Sequence, residues 1–219
     1  ADQTVSVSTT DDDVAGFTIV ELDGSTEVDE SGDTDTFTVV LDAQPDSNVV
    51  VAISVSDSSE SSVNSPLTFT SANWDTPQVV TVTGIDDDII DGTINSTITV
   101  TIVDAISDNQ FDGVADQTVS VSTTDDDVAG FTVTETEGST GVDESGTTDI
   151  ITVVLNAQPA SDVVITVTSS DTGEATVTSP LTFTSANWDT PQNVTVTGAD
   201  DELVAVSYTH LTLPTIGCV

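Results

Sequence analysis

The stretch VVVAISV, residues 49–55, sets Val49, Val51, Ile53 and Val55 two apart, with Val50, Ala52 and Ser54 between them. Successive side chains of a strand point to opposite faces, so a two-residue period of β-branched residues reads as a strand with one face buried. The same period recurs at Val80 and Val82, at Ile94, Ile98, Val100 and Ile102, and at Val119 and Val121. Thr and Ser fill many of the intervening places, and Gly, Pro, Asn and Asp break the runs. No segment carries a helical stripe. The expected strands are A at 15–22, B at 35–42, C at 48–56, a short D at 61–64, E at 67–83 with a break near Pro77, F at 93–104 and G at 116–124. Seven short strands in a unit of about 100 residues predict an all-β chain folded as a β-sandwich.

Charge narrows the function. The 219 residues include 39 Asp plus Glu, one His and no Lys or Arg, a formal net charge of −39. No carboxylate has a basic side chain to neutralise it, so any compensating charge comes from solution cations. Nucleic-acid binding draws its main electrostatic term from basic groups, and anionic membranes need the same, so both are excluded. Hydrophobic residues make up 36% of the chain, too many for a solvated acidic tail. The acids therefore belong in loops between buried strands. No apolar run approaches the roughly 18 residues of a membrane span, and the lone Cys218 cannot organise the fold through disulfides.

Sliding the chain by 114 residues aligns 1–90 with 115–204; LTFTSANWDTPQ at 67–78 returns at 181–192, and STTDDDVAGF at 8–17 returns at 122–131. So long a period indicates tandem whole domains rather than a solenoid. The phasing makes residues 1–13 the last strand of a truncated upstream repeat, 14–127 a complete domain and 128–204 a second domain lacking its last two strands. That second domain is expected to be poorly stable, with exposed sheet edges. Residues 1–10, identical to 115–124, are suited to fill a vacant edge in their own or a neighbouring chain. Residues 205–219 leave the repeat. Within them VSYTHLTLPT, 206–215, resembles the in-frame translation of a transposon-based sequencing adapter, which marks the tail as artefactual and discounts its Tyr208, His210 and Cys218 as site residues.

Carboxylates concentrate in three places per repeat: VDESG between A and B (Asp29 and Glu30; Asp143 and Glu144), IDDDIIDG after E (Asp86, Asp87, Asp88 and Asp91; in part Asp200, Asp201 and Glu202), and DDD after G (Asp125, Asp126 and Asp127; Asp11, Asp12 and Asp13). Calcium takes six to eight oxygen ligands from carboxylates, carbonyls and water. In a sandwich of this topology the A–B, E–F and post-G segments reach the same end, where such groups can converge on an ion. The spacing matches no EF-hand loop.

These motifs resemble the Calx-β domains, on IDDDII after strand E, DDDVAGF at the domain end and ESG near strand B; LTFTSANWDTPQVVTVTG is also similar to tandem repeats of large bacterial RTX-type surface adhesins. The resemblance implies an immunoglobulin-like seven-stranded sandwich with calcium held where the acidic loops meet. It implies ligand roles for Glu30, Asp86, Asp87, Asp88 with the Ile89 carbonyl, Asp91, Asp125, Asp126 and Asp127, a second, incomplete site at Glu144, Asp200, Asp201 and Glu202, and an upstream remnant at Asp11, Asp12 and Asp13. Two departures reduce the number or strength of sites. Ile94 stands where the family carries a further acid, and the acidic C–D loop is replaced by SDSSESSVNS, where only Asp57 and Glu60 can substitute.

The expectation is a non-enzymatic, Ca2+-binding spacer repeat of a large extracellular bacterial adhesin or surface protein, with calcium stiffening the junctions between neighbouring repeats. A glycan or protein receptor would be bound elsewhere in the full-length protein. The alternative is a carbohydrate-binding or accessory module of a secreted enzyme, in which Trp74 or Trp188 would stack on a sugar; a single Trp per repeat reads first as a packing wedge. Asn95 in NST and Asn193 in NVT fit the glycosylation pattern, which Thr-rich sequences produce by chance.

Overall fold

The computed structural model describes residues 2–22, 24–200 and the backbone of 211–212. These fall into two compact units, Ala1–Asp87 with Gly92–Asp125, and Asp88–Asp91 with Asp126–Val219. Described residues form strands and two single 3-10 turns, and none of their helices is long and apolar enough to cross a membrane.

The first unit contains β1 (Phe17–Glu21), β2 (Thr26–Asp29), β3 (Thr34–Leu41), β4 (Val49–Val55), β5 (Ser61–Val63), β6 (Leu67–Phe69), β7 (Gln78–Gly84), β8 (Ile94–Ile102) and β9 (Gln117–Thr124). One sheet has the order β1-β3-β7-β5, the other β2-β9-β8-β4-β6. In letters these are A-B-E-D and a sheet containing G-F-C, the immunoglobulin-like division of strands. The alternation seen in the sequence lands in the core: Val49, Val51 and Ile53 of β4 are buried with Ile98 and Val100 of β8, and Val51 pairs with Ile102, Ile53 with Val100. From the facing sheet Phe37, Val39 and Leu41 of β3 and Val80 and Val82 of β7 complete the same cluster. Each fully buried aliphatic chain contributes about 1.5–3 kcal/mol through area removed from water.

Two expectations are corrected here. Strand E, expected over 67–83 with a break near Pro77, is two strands in different sheets separated by residues 70–77: β6 pairs with β4 and β7 with β3. The chain turns at Thr70, before Pro77, because the Asn73 carboxamide oxygen accepts from both the amide (2.5 Å) and the hydroxyl (2.8 Å) of Thr70. Such a side chain offers the backbone an alternative to the sheet ladder. The other addition is β2, absent from the expected strands, which runs parallel to β9 with Val28 opposite Thr123.

Residues 2–16 take no regular structure and are almost wholly exposed. The strand expected over 1–10 is therefore not formed in this region. An isolated strand has no partner for its amides, and nothing here supplies the neighbours that the identical β9 has in β2 and β8.

The second unit repeats the first sheet: β10 (Phe131–Glu135), β11 (Thr148–Leu155), β16 (Gln192–Gly198) and β14 (Ala175–Val177) lie in the order β10-β11-β16-β14. Its other strands are fragmentary. β12 (Val163–Ile165) pairs with β15 (Leu181–Phe183), and β13 (Thr168–Ser169) with β17 (Leu211–Thr212). The counterpart of β2, residues 140–143, is not a strand. A smaller apolar cluster, including Ile151, Val153, Phe183 and Val194, fills this unit.

Candidate metal centre

The geometry of the acidic end begins with β2. Its two-residue period sends Thr26 and Val28 inward, and continuing it by one step sends Glu30 inward too. Glu30 is 1% exposed, and its N–H donates to the Thr124 carbonyl at 3.1 Å, which fastens the A–B loop to the end of β9. A carboxylate is thus carried into the sandwich by strand geometry.

A second loop arrives through a glycine. A Cβ built on Gly84 would lie 1.8 Å from the Asp29 carbonyl oxygen, so only glycine lets the start of the E–F loop pass the A–B loop this closely. Three residues on, the half-buried Asp87 offers a carboxylate oxygen within 4.8 Å of one from Glu30. Gly198 repeats the device in the second unit, where its Cβ would meet the Asp143 carbonyl oxygen at 1.9 Å.

A third loop joins from C–D. Glu60 is buried, and its carbonyl accepts from the Ile85 amide at 2.9 Å, tying C–D to the start of E–F. Asp57, the other acid of that loop, is committed to its own turn: the Ser59 hydroxyl donates to it at 2.5 Å and the Ser59 amide at 3.1 Å. Those two bonds, the hydroxyl first, hold its carboxyl below the usual range. Asp125, after β9, is half-buried and accepts from the Gly92 amide at 2.9 Å. The inward surface at this end is polar, since Thr26, Glu30, Glu60, Ser61, Ser96 and Thr123 are all buried there. Burying so many polar groups is costly unless they are satisfied.

The remaining implied ligands are placed differently. Asp86 is exposed; Asp88, Ile89 and Asp91 are exposed and pack with the second unit, where the Asp88 carbonyl accepts from the Gln158 amide at 2.7 Å and Ile89 bridges to Gln158. The four acids of IDDDIIDG therefore do not act as one loop. Asp126 is exposed and Asp127 half-buried at the start of the second unit. Asp11, Asp12 and Asp13 are exposed, joined by one turn bond from the Asp13 amide to the Asp11 carboxylate.

In the second unit Glu144 is half-buried rather than buried and lines an open groove with Ser145, Gly146, Gly198 and the exposed Asp200. Asp201 and Glu202 lie outside the described residues, as do Tyr208, His210 and Cys218. Asp143 accepts from the Ser145 hydroxyl and amide, which hold it below its ordinary range.

One structural carboxylate escapes sequence reading altogether. Asp108, buried at the opposite end of the first unit, accepts from the amides of Ser47 (2.7 Å) and Gln110 (3.0 Å). These amide bonds, Gln110 first, hold it below the usual range. A solitary Asp carries no cluster signal. Trp74 is half-buried against the core, with its carbonyl accepting from the Leu41 amide at 3.1 Å, and Trp188 occupies the same place against the second cluster. Both are packing residues.

The donor set at the acidic end of the first unit is all oxygen, which suits hard cations such as calcium and magnesium and not thiolate- or imidazole-seeking metals. The buried Glu30 and the half-buried Asp87 supply the close pair, and Asp125 sits beside the same loop.

No family model matches the chain, and no curated protein matches it. Among solved structures it is similar to the calcium binding domain CBD12 of CALX1.1 (16% identity over 84% of this chain and 76% of that one, TM-score 0.37) and to the apo form of the Calx CBD1 domain (17%, 51% and 98%, TM-score 0.37). It is also similar to domains 5–6 of the S-layer protein SbsC (18% identity, 92% and 91%, TM-score 0.32). At these scores the functional reading stands on the strand order and the carboxylates rather than on the likenesses.

Proposed function

We propose that the chain is a Ca2+-binding, non-enzymatic spacer repeat of a large extracellular surface protein. The observation that carries this reading is the Glu30 carboxylate, enclosed in the sandwich within 4.8 Å of the Asp87 carboxylate in a chain with no Lys or Arg. Two carboxylates so close, one buried and one half-buried, repel each other. With no Lys or Arg in the sequence, a solution cation is the partner that relieves the repulsion. Glu60 and Asp125 stand in loops hydrogen-bonded to the same E–F segment and can complete an oxygen shell together with carbonyls and water.

In this reading the ion does two things. It binds the native arrangement of the A–B, E–F and post-β9 loops but not the unfolded chain, and so raises stability by mass action. It also fixes the direction in which the chain leaves β9. Asp126 and Asp127 follow Asp125 at no more than about 3.6 Å per residue, so a cation held near Asp125 draws on the segment that begins the next repeat. Stiffened junctions suit a stalk that holds an adhesive region away from a surface, and the acidic, lysine-free composition suits a setting where calcium is abundant. Sugar stacking by the two Trp residues finds no support, since both are half-buried against apolar cores.

The experiment is thermal unfolding of the whole chain in millimolar calcium and in chelator, followed through Trp74 alone in a W188F background. A higher midpoint in calcium supports the reading, and identical curves refute it. A parallel titration with magnesium tests whether the site prefers the larger ion, as a flexible shell of loop oxygens would.

A further inference from the structure

Four hydroxyls are shut inside the first unit without a protein partner. Thr26, Ser61, Ser96 and Thr123 are each no more than 5% exposed, and the hydroxyl oxygen of each makes no hydrogen bond to another protein group. The sheet registers bring them to one place. Thr26 and Ser96 both stand opposite Val121, in one row across β2, β9 and β8. Thr123 lies in the next row on the same inward face, opposite Val28 and Ile94. One further step along that face of β2 is Glu30. Ser61 comes from the other sheet, opposite Gly84 and directly after Glu60. Farther from the acidic end the same inward faces carry Ile98 and Val100 of β8 and Val119 of β9, all buried and apolar.

The fold does not demand these hydroxyls. In the second unit Ala175 stands opposite Gly198 as Ser61 stands opposite Gly84, and the Glu174 carbonyl accepts from the Ala199 amide at 2.9 Å as the Glu60 carbonyl does from Ile85. Alanine therefore serves in the same backbone setting. Valine would fill the space of Thr123 and suits a strand equally well. Buried hydroxyls in folded proteins are nonetheless paired, either with protein groups or with ordered water. We propose, building on the reading of Glu30 and Asp87 as a cation pair, that Thr26, Ser61, Ser96 and Thr123 hold ordered water that forms the inner side of the cation's oxygen shell. A calcium ion takes six to eight oxygens. The A–B and E–F loops supply theirs from the end of the sandwich, and an aliphatic interior would offer none on the other side. A buried water makes about three hydrogen bonds, which adjoining hydroxyls and the Glu30 carboxylate provide. The hydroxyls are neutral, so they add partners for the shell without adding to a charge of −39. They are positioning groups that act on the ion through water.

The test is the melting midpoint of the first unit, read from Trp74 in a W188F background of the whole chain, over a calcium series and in chelator. T123V should need about tenfold more calcium for the same rise in midpoint, the usual scale for losing a group that supports a metal's ligands. Its midpoint in chelator should be unchanged or higher, because a buried hydroxyl without a protein partner gives way to a methyl group. T123S keeps the hydroxyl and should restore the calcium response. S61A, which the Ala175 setting shows the fold to accept, should weaken the response in the same sense and decides the matter if T123V does not fold. An undiminished calcium response in S61A and T123V would overturn the proposal. So would midpoints that fall in chelator as far as they fall in calcium, the mark of a purely structural role. A flat response of the chain with Thr123 and Ser61 intact is a separate result: it refutes the cation reading itself, and the proposal falls with it.

Discussion

Residues 2–10 and 116–124 are the same nine amino acids in two states. In β9 Val119 and Val121 are 3% and 0% exposed; at the other site Val5 and Val7 are 87% and 81% exposed. Propensity, alternation and charge are equal by construction, so none of them decides between strand and coil. What decides is whether β8 stands on one side and β2 on the other to take up the amides and cover the valines. The lesson extends to TEVD and TGVD, where one is a strand beside β9 and the other is not.

The largest effect that sharpens the comparison comes from placing one charge in each copy. V121D buries an unpaired carboxylate between two sheets and should cost on the order of 3–5 kcal/mol, enough to unfold the first unit. V7D, at the equivalent residue of the exposed copy, should leave the melting of that unit unchanged in dilute solution. Equal effects of the two would break the comparison. Next in size is G84A, whose methyl group would sit on the Asp29 carbonyl, at about 1–3 kcal/mol. G198A makes the same collision with Asp143 in the second unit, but there the A–B loop is not held by a parallel strand and can move aside. Its cost should be smaller, as read from Trp188 fluorescence in a W74F background.

The smallest effect is on pH. Asp57 and Asp143 are held below their ordinary range chiefly by the hydroxyls of Ser59 and Ser145. A group depressed in the folded state contributes stability that is complete above its unfolded value, about 3.9, and is lost as pH falls through the folded value. The unmodified chain should therefore keep this contribution at neutral pH and shed it only below about pH 4. S59A and S145A, each followed by acid titration of its own unit, should lower stability above pH 5 or so and lose less of it on acidification, so that variant and unmodified curves converge at low pH.

Much of the sandwich was legible because buried strands announce themselves by period. VVVAISV became β4, and the runs through Ile98 and Val119 became β8 and β9, each within a residue or two of its expected bounds. The A–B segment was not legible as a strand, since TEVD is short, half-charged and flanked by turn residues. Only with β2 in view does Thr26, Val28, Glu30 read as one inward face. The break in strand E runs from Thr70 through Pro77, longer than the proline alone indicated, because the Asn73 side chain turns the chain at Thr70. As for the site, clustering pointed to the correct loops but not to the direction of each carboxylate. Glu30 turned inward with strand periodicity, while Asp88 and Asp91 followed a backbone that pairs with Gln158. Asp108, alone in its loop, gave no signal.

The central claim is that a divalent cation binds between Glu30 and Asp87, and it is tested most directly by melting the first unit of W188F with calcium and with chelator, beside the same chain carrying E30Q. At a calcium concentration about 100 times the dissociation constant, the ion should stabilise the unit by about 2.7 kcal/mol, a shift of several degrees. E30Q should melt at the same temperature in both solutions. Superimposable curves for the unmodified Glu30 chain, or a calcium shift that survives E30Q undiminished, would contradict the account.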